Sequence, residues 1–378
     1  MSETTIDLER LLAPISEEAP TGQELSLGDM EGPLLKIKDA WDEARKLVRE
    51  ELEKERNGGI DSQGEPWRTI PHPDWSTVID LSQETLQNQS KDFRIASWLT
   101  EALLREHQIR GLRDGLELCK GLCDNYWQTL HPVANDEDGH GVTVSAFAAL
   151  VNEATYGALY DTIIVYGQKQ NERSERRYSV LDYVRAKELP SLTAEEREQR
   201  LEQGQVEMGD FHAILELTPP EFLSESLDLI DQCISLLKYL NEFFRDNCRD
   251  DEYGEPTAPA ISSFREELES IRRIITEFST GESAATDDEQ AGDDATGNAS
   301  FSSPKSEMTR ESAFQSIERI AQFFEKTEPH TPVHFALRQA VRWGRMPLEK
   351  LLAELIEDSS VMGSLRRQIG LPAEEQEY

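Results

Sequence analysis

The residues that could do chemistry stand out by spacing alone. His330 and His334 are four apart, the separation at which two imidazoles on one helical face can share a metal ion. His330, however, precedes Thr331-Pro332, which reads as a helix start, and no glutamate lies between the histidines to act as a base. Capping or packing is the plainer role. Cys119 and Cys123 are also four apart, within a Leu-rich stripe where a free thiol behaves as a small hydrophobe. Asn135-Asp136-Glu137-Asp138-Gly139 has the outline of half a calcium loop. With Gly139 at loop position six, Ala134 falls at position one and Ser145 at position twelve, where carboxylates are needed, so the site fails. A solvated turn after His131-Pro132 accounts for the segment. About one residue in five is acidic, so a carboxylate pair spaced for acid–base work arises cheaply. There is no phosphate loop, dinucleotide glycine fingerprint or serine elbow. The expectation is a protein with no catalytic, cofactor or metal site.

One anomaly survives. Pro329–Leu348 contains Arg338, Arg342 and Arg345 and no acid, a basic island in a chain whose formal net charge is −35. Arg338 and Arg342 share a helical face, and Trp343 stands between two of the arginines. The island reads either as an ordinary solvated face or as a contact surface for acidic neighbours, including copies of this chain. Arg338, Arg342, Trp343 and Arg345 are therefore the candidate subunit or partner interface.

The elements that must position these residues are helical. Leu34, Ile37, Trp41, Ala44 and Val48 step by three and four, as do Leu112, Leu116, Cys119, Cys123, Tyr126 and Leu130. Phe93, Ala96, Leu99 and Leu103 form a third stripe, with Ser90 as candidate N-cap. Further helices are predicted over Val144–Leu159, Phe222–Phe244 and Phe264–Phe278. Thr218-Pro219-Pro220-Glu221, with Thr218 as candidate cap, and the Thr193/Glu196 pair read as helix starts. Thr162–Tyr166 against Arg177–Val180 is a short hairpin. The fold class is all-α.

Length and charge bound the rest. At about 150 residues per domain, 378 residues give two to three domains. Thirty-nine bases against 74 acids leave no cation excess for nucleic acid or an anionic membrane surface. The longest apolar run, Ala146–Val151, is far short of the roughly 20 residues of a membrane span, so no direct membrane insertion is expected. The opening residues have no signal-peptide pattern, and the four cysteines make no disulfide framework, which points to the cytoplasm.

Boundaries follow composition. Residues 1–167 read as an N-terminal helical domain, 168–210 as a charged connector and 211–280 as a helical hairpin. Residues 281–307 read as an acidic disordered linker, since Gly281–Ser300 holds six acids, no base and little apolar surface. Residues 308–378 make a small helical module, with Ala313, Ile317, Ile320 and Phe324 on a first helix, Thr331 to about Trp343 as a second that Gly344 stops, and a third from Pro347. A module of this size is near the limit where oligomerisation supplies missing core.

Several stretches resemble a known family. Leu11-Leu12-Ala13-Pro14-Ile15-Ser16-Glu17-Glu18-Ala19-Pro20-Thr21-Gly22, Ser90–Leu104, Gly111-Leu112-Arg113-Asp114-Gly115-Leu116 and Tyr126-Trp127-Gln128-Thr129-Leu130-His131-Pro132, followed by Asp136–Gly139, resemble the ImpA N-terminal domain. That domain marks the TssA proteins of bacterial type VI secretion systems. Thr327–Val333 and Ala340–Leu348 are similar to the tail of the short TssA branch. The resemblance implies a cytoplasmic, non-enzymatic assembly component that forms rings through its C-terminal region. It implies action at the baseplate, organising or priming polymerisation of the contractile tail tube and sheath, and it carries no catalytic, cofactor or metal residues. Membrane-linked relatives have a different C-terminal extension, sometimes with a transmembrane helix, so their anchoring role is not implied. The alternative from another class is a cytosolic hydrolase with an acidic cleft, which would need a carboxylate of perturbed pKa in a buried pocket.

Overall fold

A computed structural model describes residues 4–56, 67, 69–134, 139–170, 173–248, 257–280, 314 and 333–346. The chain divides into two compact units, Met1–Asp288 and Glu289–Tyr378. The first is all-α apart from one small sheet. Its order is α1 (Leu8–Leu12), α2 (Pro33–Arg56), α3 (Trp75–Asn88), α4 (Phe93–Tyr126), α5 (Gly141–Leu150), α6 (Glu153–Tyr160), β1 (Ile163–Gly167), β2 (Arg176–Ser179), α7 (Val180–Glu188), α8 (Ala194–Glu202), α9 (Met208–Leu215), α10 (Pro220–Asn247) and α11 (Ser262–Thr280).

The centre is α4, which is a hairpin of two helical arms. At Gln108 the backbone leaves the helix, with φ 55 and ψ −142, and the chain doubles back. Two glycines let the arms touch. A Cβ on Gly111 would lie 2.0 Å from the Leu103 carbonyl oxygen, and one on Gly115 would lie 2.6 Å from the Thr100 side chain. The third and second stripes of the sequence thus face each other, with Phe93, Leu99, Leu103, Leu112, Leu116 and Cys119 fully buried. Gln108 also accepts a hydrogen bond on Oε1 from the Ile163 amide (3.2 Å), tying the reversal to β1.

α10 lies along the second arm and α11 along α10. Phe93 stacks on Phe147 at 5.8 Å, Phe244 meets both edge-on at 6.0 and 5.4 Å, and Trp127 meets Phe243 edge to face at 5.0 Å. One apolar core runs from Ile6 to Phe278. The predicted hairpin is present: β1 and β2 pair antiparallel, Tyr166 opposite Arg177. Residues 168–210, read as a connector, carry β2, α7, α8 and the start of α9.

Three local readings need correction. The helix expected over Val144–Leu159 breaks into α5 and α6, with Val151 closing the first by a bond from its amide to the Phe147 carbonyl (3.1 Å). Asp92, not Ser90, caps α4, accepting from the Arg94 amide. Pro219 is the N-cap of α10, because the Thr218 hydroxyl is engaged by Tyr166 and Ile214. Thr193 and Glu196 form the capping box expected at α8.

In the second unit, α12 (Val333–Arg345) is described, together with Phe314. The helix continues through Gly344 to Arg345, two residues beyond the predicted end, as an unstrained glycine permits. The predicted linker 281–307, the calcium-like acids 135–138, His330 and the predicted third helix from Pro347 lie outside the described residues.

Candidate functional site

The motifs quoted above meet at one place. Residues 4–25 form a strap across the α3–α4 layer, and Lys91 is the point where strap, α3, α4 and the 127–132 turn converge. Its side chain is fully buried, and Nζ donates to the carbonyls of Leu11 and Leu86, both at 2.7 Å. These carbonyls close α1 and approach the end of α3, where the helix dipole favours a cation. The Lys91 amide donates to Thr21 (2.8 Å), and its carbonyl accepts from the His131 amide (3.0 Å). Gly22, at φ 70, passes so close to Gln89 that a Cβ would fall 2.1 Å from its carbonyl oxygen. With no carboxylate against it, burial pushes Lys91 down to about 8.

Two further charges are buried in α4. Asp114 accepts on Oδ2 from the Thr5 amide (2.6 Å) and hydroxyl (2.7 Å), holding the start of the strap. Glu101 accepts from Trp41 Nε1 at 3.0 Å and faces Arg45 at 3.4 Å and Arg105 at 3.8 Å. Burial pushes its pKa up, against the pull of the two guanidiniums. Arg45 and Arg105 in turn stack over Trp41 and Trp75 at 4.6 and 5.8 Å. Sequence reading missed Lys91, Glu101 and Asp114. The available signal was a charge embedded in an apolar stripe, as in Ser97-Trp98-Leu99-Thr100-Glu101-Ala102-Leu103-Leu104.

These groups join segments; none forms a nucleophile–base pair. The thiols are unactivated: burial pushes Cys119 up to about 12, Cys248 to about 11, and Cys123 and Cys233 well above the ordinary range. A hollow of about 650 Å³ beside α8 is lined by Pro190, Leu192, Ala194, Arg197, Glu198 and Leu201 among others. Another, of about 560 Å³ between α4 and α10, is lined by Glu117, Lys120, Asp231 and Tyr239 among others. Glu101 lines neither.

The candidate interface residues lie together on α12. Phe335, Arg338, Arg342 and Arg345 follow at helical spacing and are exposed, Trp343 is half-buried, and Val341 is buried. Phe335 is 67 % exposed, which adds an aromatic group to the arginine face. The Arg345 guanidinium sits 5.7 Å from the Phe314 ring centroid, so one arginine of the four-residue set already has an aromatic platform within its own unit.

The first unit is thus a helical bundle of the strapped-hairpin class, its buried polar groups used to fasten segments. Residues 12–152 match the family described as ImpA, N-terminal, of the type VI secretion system. A curated relative, type VI secretion system component TssA1 of Pseudomonas aeruginosa strain PAO1, is 27 % identical over 150 residues, 39 % of this chain. The aligned region spans 38 % of that relative's length. A solved structure is similar over 75 % of this chain and 98 % of its own, with TM-score 0.56 and 24 % identity. It is the N-terminal domain, including the conserved ImpA_N region, of the TssA component of the type VI secretion system from Burkholderia cenocepacia. Both relatives are TssA components of type VI secretion systems, and the sequence match to the ImpA N-terminal family rests on residues 12–152. Among the described residues, no helix is long and apolar enough to cross a membrane.

Proposed function

We propose that the chain is a cytoplasmic, non-enzymatic scaffold of a type VI secretion system, acting at the baseplate to organise or prime polymerisation of tail tube and sheath. In this reading, residues 308–378 are a ring-forming module tethered by the acidic segment 281–307 to the strapped bundle. Its subunits meet through Arg338, Arg342, Trp343 and Arg345, and its other partners are baseplate, tube and sheath proteins. The observation that carries the reading is the arginine–aromatic face of α12 in a chain of net charge −35, whose 74 acids against 39 bases give a second copy carboxylates in excess to meet it. Arginine and tryptophan are favoured at binding hot spots, and a ring raises the local concentration of every arm it carries.

Light scattering coupled to gel filtration tests this. Full-length protein should form a large defined oligomer, and residues 1–300 a smaller species. An exposed ion pair contributes about 0–1 kcal/mol, whereas breaking a desolvated one costs about 2–5 kcal/mol at every subunit boundary. Arg342→Glu should therefore shift full-length protein to smaller species with its helical content unchanged. Unchanged mass in both Arg342→Glu and Arg338→Glu removes α12 from the interface. Residues 1–300 assembling to the mass of the whole chain removes the ring-forming module.

A further inference from the structure

We propose that the N-terminal strap, residues 4–25, is a clamp that opens as a unit about the loop 26–32, and that the charge on Lys91 sets its grip. The strap is lightly held by apolar contact. Of its 22 residues, Ile6, Leu11, Thr21 and Leu25 are buried, Leu8 and Leu12 pack half-buried against the core, and most of the others are exposed. Segments with few buried apolar groups open before the core does. What fastens it is a short row of polar anchors on the body. Asp114 holds Thr5, Lys91 holds Leu11 and Thr21, Tyr126 holds Leu12 through its hydroxyl (2.7 Å), and Arg94 holds Leu25 (3.0 Å). Past Leu25 the chain enters Ser26–Glu31, an exposed loop whose hydrogen bonds run within 26–32: Gly28 and Asp29 to Ser26, and Glu31 and Gly32 to Asp29; buried Gly32 then joins α2, its carbonyl accepting from the Lys36 amide (3.3 Å). The loop grips nothing on the body through its own bonds, which suits a hinge.

Lys91 is the anchor with a choice of state. In the closed strap its ammonium lies between two carbonyls, with water excluded and no carboxylate in contact; lifting the strap removes the Leu11 carbonyl and lets water in. The charged form is favoured open and the neutral amine, which still donates two hydrogen bonds, closed. Opening therefore takes up a proton, and the clamp tightens as pH rises. The other charged or titratable groups around it are placed as follows. Asp92 is bound to Arg94 (2.6 Å), Asp114 to Thr5, and the Tyr126 hydroxyl to Leu12. His131 Nε2 lies 3.3 Å from the Gly22 carbonyl oxygen. On α3, Glu84 is exposed, as are Asp7, Glu9, Glu17, Glu18 and Glu24 on the strap.

Hydrogen exchange of the full-length protein at pH 7 and pH 9, each rate normalised to its intrinsic value, tests the clamp. With Lys91 at about 8 when closed and the ordinary 10.5 when open, protection of the strap amides should rise about tenfold between those two pH values. Lys91→Met should give a flat profile, while His131→Gln and Tyr126→Phe should keep the tenfold rise, Tyr126→Phe from a lower protection at both pH values because it loses the anchor on Leu12. Identical profiles for Lys91→Met and the unmodified protein overturn the role of Lys91. Strap amides exchanging in step with those of α10 overturn opening as a unit. If Lys91→Met loses the α10 protection that marks a folded chain, the unmodified protein decides: a flat strap profile from pH 7 to pH 9 refutes the proposal.

Discussion

α4 and α8 are both helices, and almost nothing else about them agrees. α4 buries residues on nearly every face, from Phe93 to Cys123, and its two arms touch through glycine. α8 buries none of its nine residues; it is held by the Thr193/Glu196 box and by the Arg197–Glu207 pair at 2.7 Å. A segment of that length is marginal on propensity alone, so capping and flanking bonds must stand in for packing. In one helix the residue type is dictated by what lies across the interface. In the other it is dictated by the neighbours in sequence.

Substitutions should respond in proportion. The largest effect belongs to Gly111→Ala, which forces a methyl group against the Leu103 carbonyl. We expect a loss of about 3 kcal/mol in a denaturant titration, the upper end for overpacking. A loss below about 1 kcal/mol would show that the arms separate freely and that close approach is not what holds them. Next is Cys119, on the inner face of the hairpin. Above pH 9.0 the unfolded chain releases the thiol proton, while the folded one keeps it to about 12. The unfolded state then binds fewer protons, so stability falls with rising pH, by about 1.4 kcal/mol per unit for this group. In Cys119→Ala the decline measured by denaturation between pH 9 and pH 11 should be shallower by about that slope; an unaltered slope breaks the link to burial. The smallest effect is Thr193→Ala. Loss of the cap should destabilise α8 by about 1 kcal/mol, read as faster amide exchange over residues 194–202, with the global melting temperature unchanged. A shift in global melting would mean that α8 is part of the core after all.

Legibility in the sequence divides along the same line. The stripes of α2, α4 and α10 were readable because burial leaves a three–four spacing, and Thr193/Glu196 because a capping box is contained in four residues. The reversal at Gln108 was not, since the residue is neither glycine nor proline and what holds the turn is contact between the arms, Gly111 against Leu103 and Gly115 against Thr100, with the Ile163 amide bonded to Gln108. Ser90 and Thr218 look like caps, yet one lies in a bridge with Gly22 and the other is bound to Tyr166, partners remote in sequence. The arginine face of α12 follows from spacing. That Phe335 joins it needed the exposures, and Lys91, Glu101 and Asp114 were hidden because a charged residue announces solvent until its partners are known.

The Thr218 hydroxyl has a consequence beyond the start of α10. A two-stranded sheet has two outer rims of backbone groups, and each can recruit a strand from another molecule. On the rim of β1, the Tyr166 amide is filled by Thr218 Oγ1 at 3.0 Å, and the Tyr166 carbonyl lies at the same distance from that oxygen. One side chain thus occupies the slots a foreign strand would use, at the residue where the pairing would begin. That plug keeps the rim of β1 from recruiting a strand of another molecule. Thr218→Val, keeping the shape without the hydroxyl, would leave the rim open to aggregation at high concentration.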